Sequence, residues 1–190
     1  MHPGQNLRGY VPDPMDYRFL FLEPQGRLAP RPFARGFILL TGAMLVVTVL
    51  SAVVSPGLGI LQYALVFPYL CLFGKRLHDA GLSAWLWLGF VAGFSFLSMV
   101  FSVMFLPVLS PAAFEMQADM QKVMATEGMG AALEALSLRA SEYARLAAVT
   151  TIAAFLVASA LTGYAAFRMR SDPQPNRHGP PTDNIGSTFR

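Results

Sequence analysis

Residues 36–74, GFILLTGAMLVVTVLSAVVSPGLGILQYALVFPYLCLFG, decide the fold. These 39 residues contain no Asp, Glu, Lys or Arg. A membrane-spanning helix needs about 20 mostly apolar residues to cross a hydrocarbon core roughly 30 Å thick. As one straight helix this run would be about 58 Å long, nearly twice that thickness. It must therefore fold back. Ser55-Pro56-Gly57-Leu58-Gly59 supplies the turn, because Pro lacks the donor a helix interior needs and Gly tolerates positive φ. The spacing predicts a first span near residues 33–54 and a second near 59–74. Pro68 lies inside the second and is expected to kink it or free a carbonyl.

Two further runs, residues 80–114 and 146–167, also lack formal charge, so all 14 basic and 11 acidic residues lie between or outside the three runs. Charged residues make up 13% of the chain, against about 25% in soluble domains. Mean hydropathy is +0.47. The bilayer is thus the main solvent. The expected fold is all-α: a four-transmembrane-helix bundle with an amphipathic extracytoplasmic segment between spans three and four. The third span is placed near residues 83–106, ahead of Pro107 and Pro111, and the fourth near 146–167. This divides the chain into an N-terminal cytoplasmic or interfacial segment (1–32), a membrane domain (33–168, with its outer segment at 110–145) and an irregular cytoplasmic tail (169–190). Residues 1–10 have no apolar stretch after a basic start, so no cleavable signal peptide is expected there.

Basic residues set the orientation. Arg8, Arg18, Arg27, Arg31 and Arg35 precede span one, Lys75 and Arg76 follow span two, and Arg168, Arg170, Arg177 and Arg190 follow span four. Lys122, Arg139 and Arg145 are diluted over the outer segment. This alternation predicts a multi-pass protein with four spans and both termini cytoplasmic.

Composition also narrows function. The single cysteine, Cys71, lies in an apolar run, forms no internal disulfide and reads as a small buried hydrophobe. No metal-ligand spacing, catalytic signature or cofactor motif is present. The arginines flank spans, so nucleic acid is not an expected partner despite the +3 net charge. The spans contain no ionisable residue, which disfavours proton relays and haem ligation. Their polar residues, among them Thr48, Gln62, Ser95, Ser98, Thr151 and Ser159, are expected to bond between helices, Gln62 being the costliest to bury. Gly89-x-x-x-Gly93 and Ser159-x-x-x-Gly163 are close-approach patterns, read first as packing within the bundle. In the outer segment Met116, Met120, Met124 and Met129 recur with Phe114 and Leu133, as on a surface-lying helix or an adaptable binding face.

The densest polar cluster is Lys75-Arg76-Leu77-His78-Asp79-Ala80-Gly81-Leu82-Ser83-Ala84-Trp85. Lys75 and Arg76 close span two, where cations complement the negative helix end. Gly81 suits the left-handed position after a helix, and Ser83 is a candidate N-cap for span three. Trp85 and Trp87 suit the headgroup level. His78 and Asp79 are adjacent and do not face each other on a helix. The expected role of Asp79 is an ion pair with an arginine that locks the hairpin to the N-terminal segment. Catalysis by His78 and Asp79 is the weaker alternative.

Arg76-Leu77-His78-Asp79-x-Gly81-x-Ser83-x-Trp85 resembles the signature of the bacterial inner-membrane family catalogued as domain of unknown function 805. Gly26-Arg27-Leu28 with Phe33, and Asn176-Arg177-His178-Gly179-Pro180 after the last span, resemble that family's two outer elements. Departures are Ala34 where an aromatic is usual, Pro30 where a basic residue is usual, and Ala84 in place of a second Gly. The resemblance implies a small polytopic inner-membrane protein and no assigned reaction. Under the predicted topology Gly26, Arg27, Arg76, His78, Asp79, Gly81, Ser83, Trp85, Asn176, Arg177 and Gly179 all lie on the cytoplasmic side. There they form either a salt-bridged clasp or a site for anionic phospholipid headgroups. The functional expectation is a non-enzymatic structural, assembly or lipid-interacting envelope component, with a homo-oligomer or a membrane-protein partner as companions. A small oligomeric transporter or channel is the alternative.

Overall fold

The structure, a computed structural model, describes residues 16–182, apart from the side chain of Pro56. Readings made for residues 1–10, and for the chain beyond Thr182, lie outside the described residues. Eight α-helices follow in order: α1 (Tyr17–Leu22), α2 (Pro30–Val53), α3 (Leu61–Asp79), α4 (Trp87–Leu109), α5 (Pro111–Glu127), α6 (Met129–Leu138), α7 (Ala140–Leu146) and α8 (Ala148–Arg168). Among the described residues four segments are long and apolar enough to cross a bilayer: Pro30–Val53, Gly57–Asp79, Ala84–Leu109 and Ala148–Arg168. The chain is an all-α, multi-pass membrane protein.

The turn between α2 and α3 is a 3₁₀ helix, Pro56–Ile60, whose preceding Ser55 accepts a bond from the Gly57 amide. Span boundaries shift most at the end of α3. The sequence places that end near Gly74, yet the helix continues to Asp79. Residues from Cys71 to Asp79 are all buried, so the charged turn stays helical because protein, not water, surrounds it. Pro107 lies inside α4, and Pro111 opens α5 at its first turn, where a missing N–H costs nothing. The outer segment is helical as its periodicity suggests. The sequence predicts a second helix there over residues 131–143; the observed one begins at Met129 and breaks at Arg139 before α7. The six-residue α1 precedes the first span, with Asp16 Oδ1 accepting from the amides of Arg18 and Phe19.

The spans do not close into a symmetric bundle. α2 packs on α3 and α8, and α4 packs on α8, while α3 and α4 barely touch. A cleft therefore runs between α3 and α4, floored by α2 and α8. Close approach on the floor depends on Gly163: a Cβ there would sit 2.3 Å from Phe37 Cε1. Gly89 and Gly93 behave differently. Nothing lies within 4 Å of a Cβ built on either, and both face outward, so this pair does not serve packing within the bundle. An apolar cluster of Leu20, Leu28, Phe33, Leu40, Leu72, Phe73 and Ala166 sits at the end of the molecule where α1, α2, α3 and α8 meet. Directly beneath it lies the polar site.

Candidate functional site: a side-chain clasp at one end of the bundle

Asp79 is the last residue of α3, and its side chain is fully buried. Its Oδ1 accepts from Arg27 Nε at 3.2 Å and from Thr182 Oγ1 at 2.6 Å. Its Oδ2 accepts from Arg76 Nη1 at 2.6 Å and from Ser171 Oγ at 2.5 Å. One carboxylate thus joins the N-terminal segment, α3 and the C-terminal tail. Its backbone carbonyl extends the join, accepting from Arg27 Nη2 at 3.1 Å and the Asp172 amide at 2.7 Å.

The two guanidiniums are used as fully. Arg27 Nη1 donates to Gln174 O at 2.8 Å, and Nη2 to Asp172 O at 2.5 Å. Arg76 donates through Nε to Ala166 O at 3.1 Å and through Nη2 to the carbonyls of Phe167 and Met169. Those carbonyls end α8, where the backbone dipole is negative and a cation is stabilised. Lys75, also fully enclosed, donates from Nζ to the carbonyls of Phe19, Leu20 and Glu23 around the end of α1 and sits 4.5 Å from the Phe19 ring centroid. Among the described residues three buried cations accompany a single buried carboxylate, and helix-terminal and loop carbonyls compensate the excess.

Local backbone explains why these residues reach the site. Gly81 N–H donates to His78 O at 3.1 Å and Leu82 N–H to Leu77 O at 2.9 Å, with Gly81 at φ +74°. This is the paired C-terminal closure that glycine favours. A Cβ on Gly81 would also lie 3.2 Å from Asp172 Oδ2, so the tail is seated against the bare glycine. Gly26, at φ +102°, turns the N-terminal segment so that its carbonyl accepts from His78 Nδ1 at 3.1 Å. Leu28 N–H then donates to Lys75 O at 3.2 Å. In the tail, Asn176 and Gly179 exchange both backbone bonds across a tight turn, and Asn176 Nδ2 donates to His78 O at 3.1 Å. His178 is thereby stacked on His78, centroids 3.6 Å apart and planes 7° from parallel.

The structure therefore brings together Gly26, Arg27, Arg76, His78, Asp79, Gly81, Asn176 and Gly179. Ser83, Trp85 and Arg177 do not enter the join. Ser83 occupies the N-cap position of the 3₁₀ turn Ala84–Leu86, but its hydroxyl makes no cap bond. Trp85 is 75% exposed and points away from the bundle, while Trp87 packs on the apolar cluster. Arg177 is exposed and donates from Nε to His178 Nε2 at 3.0 Å. Sequence reasoning missed Lys75 as a cap of α1, and Ser171, Asp172 and Thr182 as tail partners. The sequence predicts an irregular tail, and its short polar residues carry no periodicity that marks them.

Desolvation, with Arg177 and Arg27 nearby, holds His178 below the ordinary histidine range. Its Nε2 accepts the Arg177 bond, so the ring is neutral there. The Gln174 amide bond holds Asp172 below the ordinary carboxylate range, with Asn176 and Arg27 adding to the effect. Among the described residues no group of three His, Cys, Asp or Glu side chains is placed to hold a metal ion.

Fold and site together define a class: a four-span membrane protein in which the segment before α2 and the segment after α8 are hydrogen-bonded to one interhelical turn. Compared with known proteins, the chain matches no family model, no curated protein and no solved structure.

Proposed function

We propose that this chain is a non-enzymatic, lipid-interacting structural component of a bacterial inner membrane, with both termini cytoplasmic. The observation that carries this reading is the saturation of Asp79. Four side-chain donors and no solvent surround its carboxylate. A general base or nucleophile needs a free lone pair and an approach path, and Asp79 has neither. His78 is held on both sides, by Gly26 O and by the His178 ring. The site thus reads as a clasp that fixes the ends of the spans.

The same geometry redirects the lipid reading. Arg27 and Arg76 are enclosed by protein oxygens, so anionic headgroups are assigned to exposed cations at the same end: Arg31, Arg168, Arg170 and Arg177. Basic residues at a cytoplasmic interface attract anionic lipid, and their clustering at the clasp end supports the cytoplasmic assignment. Membership in the family catalogued as domain of unknown function 805 is part of this proposal. Its three motif elements meet in one hydrogen-bonded site, which is a physical reason for them to occur together. A transporter is less well supported. Gln62 and Thr151 do share the α3–α4 cleft, but Ser95 lies outside it and the walls are mainly apolar.

The test is mass spectrometry of the protein extracted in native lipid nanodiscs. Anionic phospholipid is expected above its share of the membrane, falling severalfold in an Arg31→Ala/Arg168→Ala/Arg170→Ala variant. Bulk lipid composition in both samples would overturn the lipid reading.

A further inference from the structure

The cleft between α3 and α4 holds about 450 Å³ of space, within the range of about 300–1,000 Å³ typical of small-molecule sites. It extends from Phe73 to Gln62 along α3, about 16 Å at helical rise and roughly half a hydrocarbon core. No charged residue lines it. Two features distinguish it from an ordinary gap between lipid-facing helices.

The first is a pair of unsatisfied hydroxyls. Ser98 Oγ and Thr162 Oγ1 line the cleft, are shielded from solvent and have no hydrogen-bond partner. Thr162 is more than nine-tenths buried. Thr48, which lines the same cleft from α2, shows the usual remedy, donating back to Met44 O at 2.9 Å. Ser98 and Thr162 lack that bond and stand as donors toward the cleft. Buried polar groups are satisfied as a rule, so each exception calls for an explanation, and an occupant of the cleft supplies one.

The second is depth and wall chemistry. Thr162 lies about 9 Å inside the clasp end of α8, and Ser98 about 16 Å inside the clasp end of α4. Both are below the level of headgroups. Aromatic rings form the walls, with Phe73 and Phe90 at 5.1 Å and Phe94 edge-on to Phe155 at 6.0 Å. Such walls accept a flat ring. A phosphate cannot reside there, because an unpaired charge in hydrocarbon is too costly.

We propose that the cleft binds an uncharged, flat, carbonyl-bearing lipophile of the prenylquinone class. Its carbonyl oxygens accept from Thr162 and Ser98, its ring lies among the phenylalanines, and its isoprenoid tail leaves along the open α3–α4 seam. The inference rests on the lipid-interacting reading and names a ligand for a different part of the molecule.

Trp87 lines the cleft and Trp85 does not, and the chain has two tryptophans, so a Trp85→Phe protein carries one reporter in the site. In nanodiscs, a benzoquinone with two isoprene units is expected to quench Trp87 saturably. Adding Thr162→Val and Ser98→Ala should weaken that binding about tenfold, from the loss of two hydrogen bonds. Neither hydroxyl has a protein partner, so the fold is expected to hold, as circular dichroism will verify. Val66→Phe with Val91→Phe, which fills the cleft, should abolish saturation. Quenching that rises linearly with quinone, or saturation indifferent to both variant pairs, overturns the inference. So does saturable quenching by brominated phosphatidylglycerol alone. In each of those cases the nanodisc lipid analysis still decides the lipid-interacting reading separately.

Discussion

The chain has two polar regions, and they treat charge in opposite ways. At the clasp, Arg27, Lys75, Arg76 and Asp79 are buried, the two arginines pairing with Asp79 and Lys75 donating to the carbonyls at the end of α1. In the segment from α5 to α7, the charges stay at the surface. Lys122 pairs with Asp119 at 3.0 Å within α5 and Arg139 with Glu142 at 3.0 Å at the start of α7, each pair three residues apart and well exposed. The first pattern joins segments as distant as Arg27 and Gln174, and the second only decorates a helix. The tertiary anchors of the outer segment are few, chiefly Ala113 and Met116 with the Thr150–Ser110 bond at 2.9 Å, while Met129, Leu133 and Leu138 remain exposed. Charge density alone therefore says little about what charges do. Burial and sequence separation of the partners decide it.

The contrast breaks first at Asp79. Asp79→Ala leaves two buried guanidiniums without their carboxylate and is expected to destabilise the protein by about 3–5 kcal/mol. Asp119→Ala should change stability by about 0–1 kcal/mol. Denaturant titration in mixed micelles measures both, and equal effects would dissolve the distinction between the regions.

Glycines sharpen the comparison next. Gly163→Ala forces a methyl into Phe37 and should cost about 1–3 kcal/mol through overpacking. Gly89→Ala meets open space and should be neutral or stabilising by up to about 1 kcal/mol, the helix-propensity gain. A thermal unfolding comparison of the two variants checks the order.

Acid should loosen the clasp before the outer segment. His178 has a folded-state pKa below its ordinary value of 6.5, so the unfolded chain binds a proton first. Its contribution is intact above that value and is lost as pH falls through the folded pKa. Protonation would also remove the Nε2 acceptor that Arg177 uses. Glu142, lowered by its Arg139 bond, has the same sign, but its window begins only near 4.5. Proteolysis across the tail between pH 7 and pH 5 should rise in the native protein and rise less in His178→Phe, which keeps a ring against His78. A tail equally accessible in both proteins would remove the histidine from the account.

Much of this architecture was legible because a bilayer imposes a simple rule. Runs without charge have to be spans, and residues 36–74 are too long to be one. The Gly81 turn was legible too, since only a few residue types suit a left-handed helix end. The continuation of α3 through Lys75–Asp79 was not, because local sequence suggests that such a charged turn frays into water. Only the surrounding α1, α8 and tail make it buried and helical. Arg177 illustrates the opposite error, a motif residue whose neighbours join the clasp while it faces solvent.

The sequence by itself determined the number of spans, the turns between them and the residue types available at each end, because hydrophobic length and glycine placement are local properties. Tertiary structure alone decided that Asp79 collects Arg27, Arg76, Ser171 and Thr182, that α3 and α4 part to leave a cleft, and that Ser98 and Thr162 face it unbonded. Those outcomes depend on which faces of distant helices meet, and spacing along one chain does not encode that.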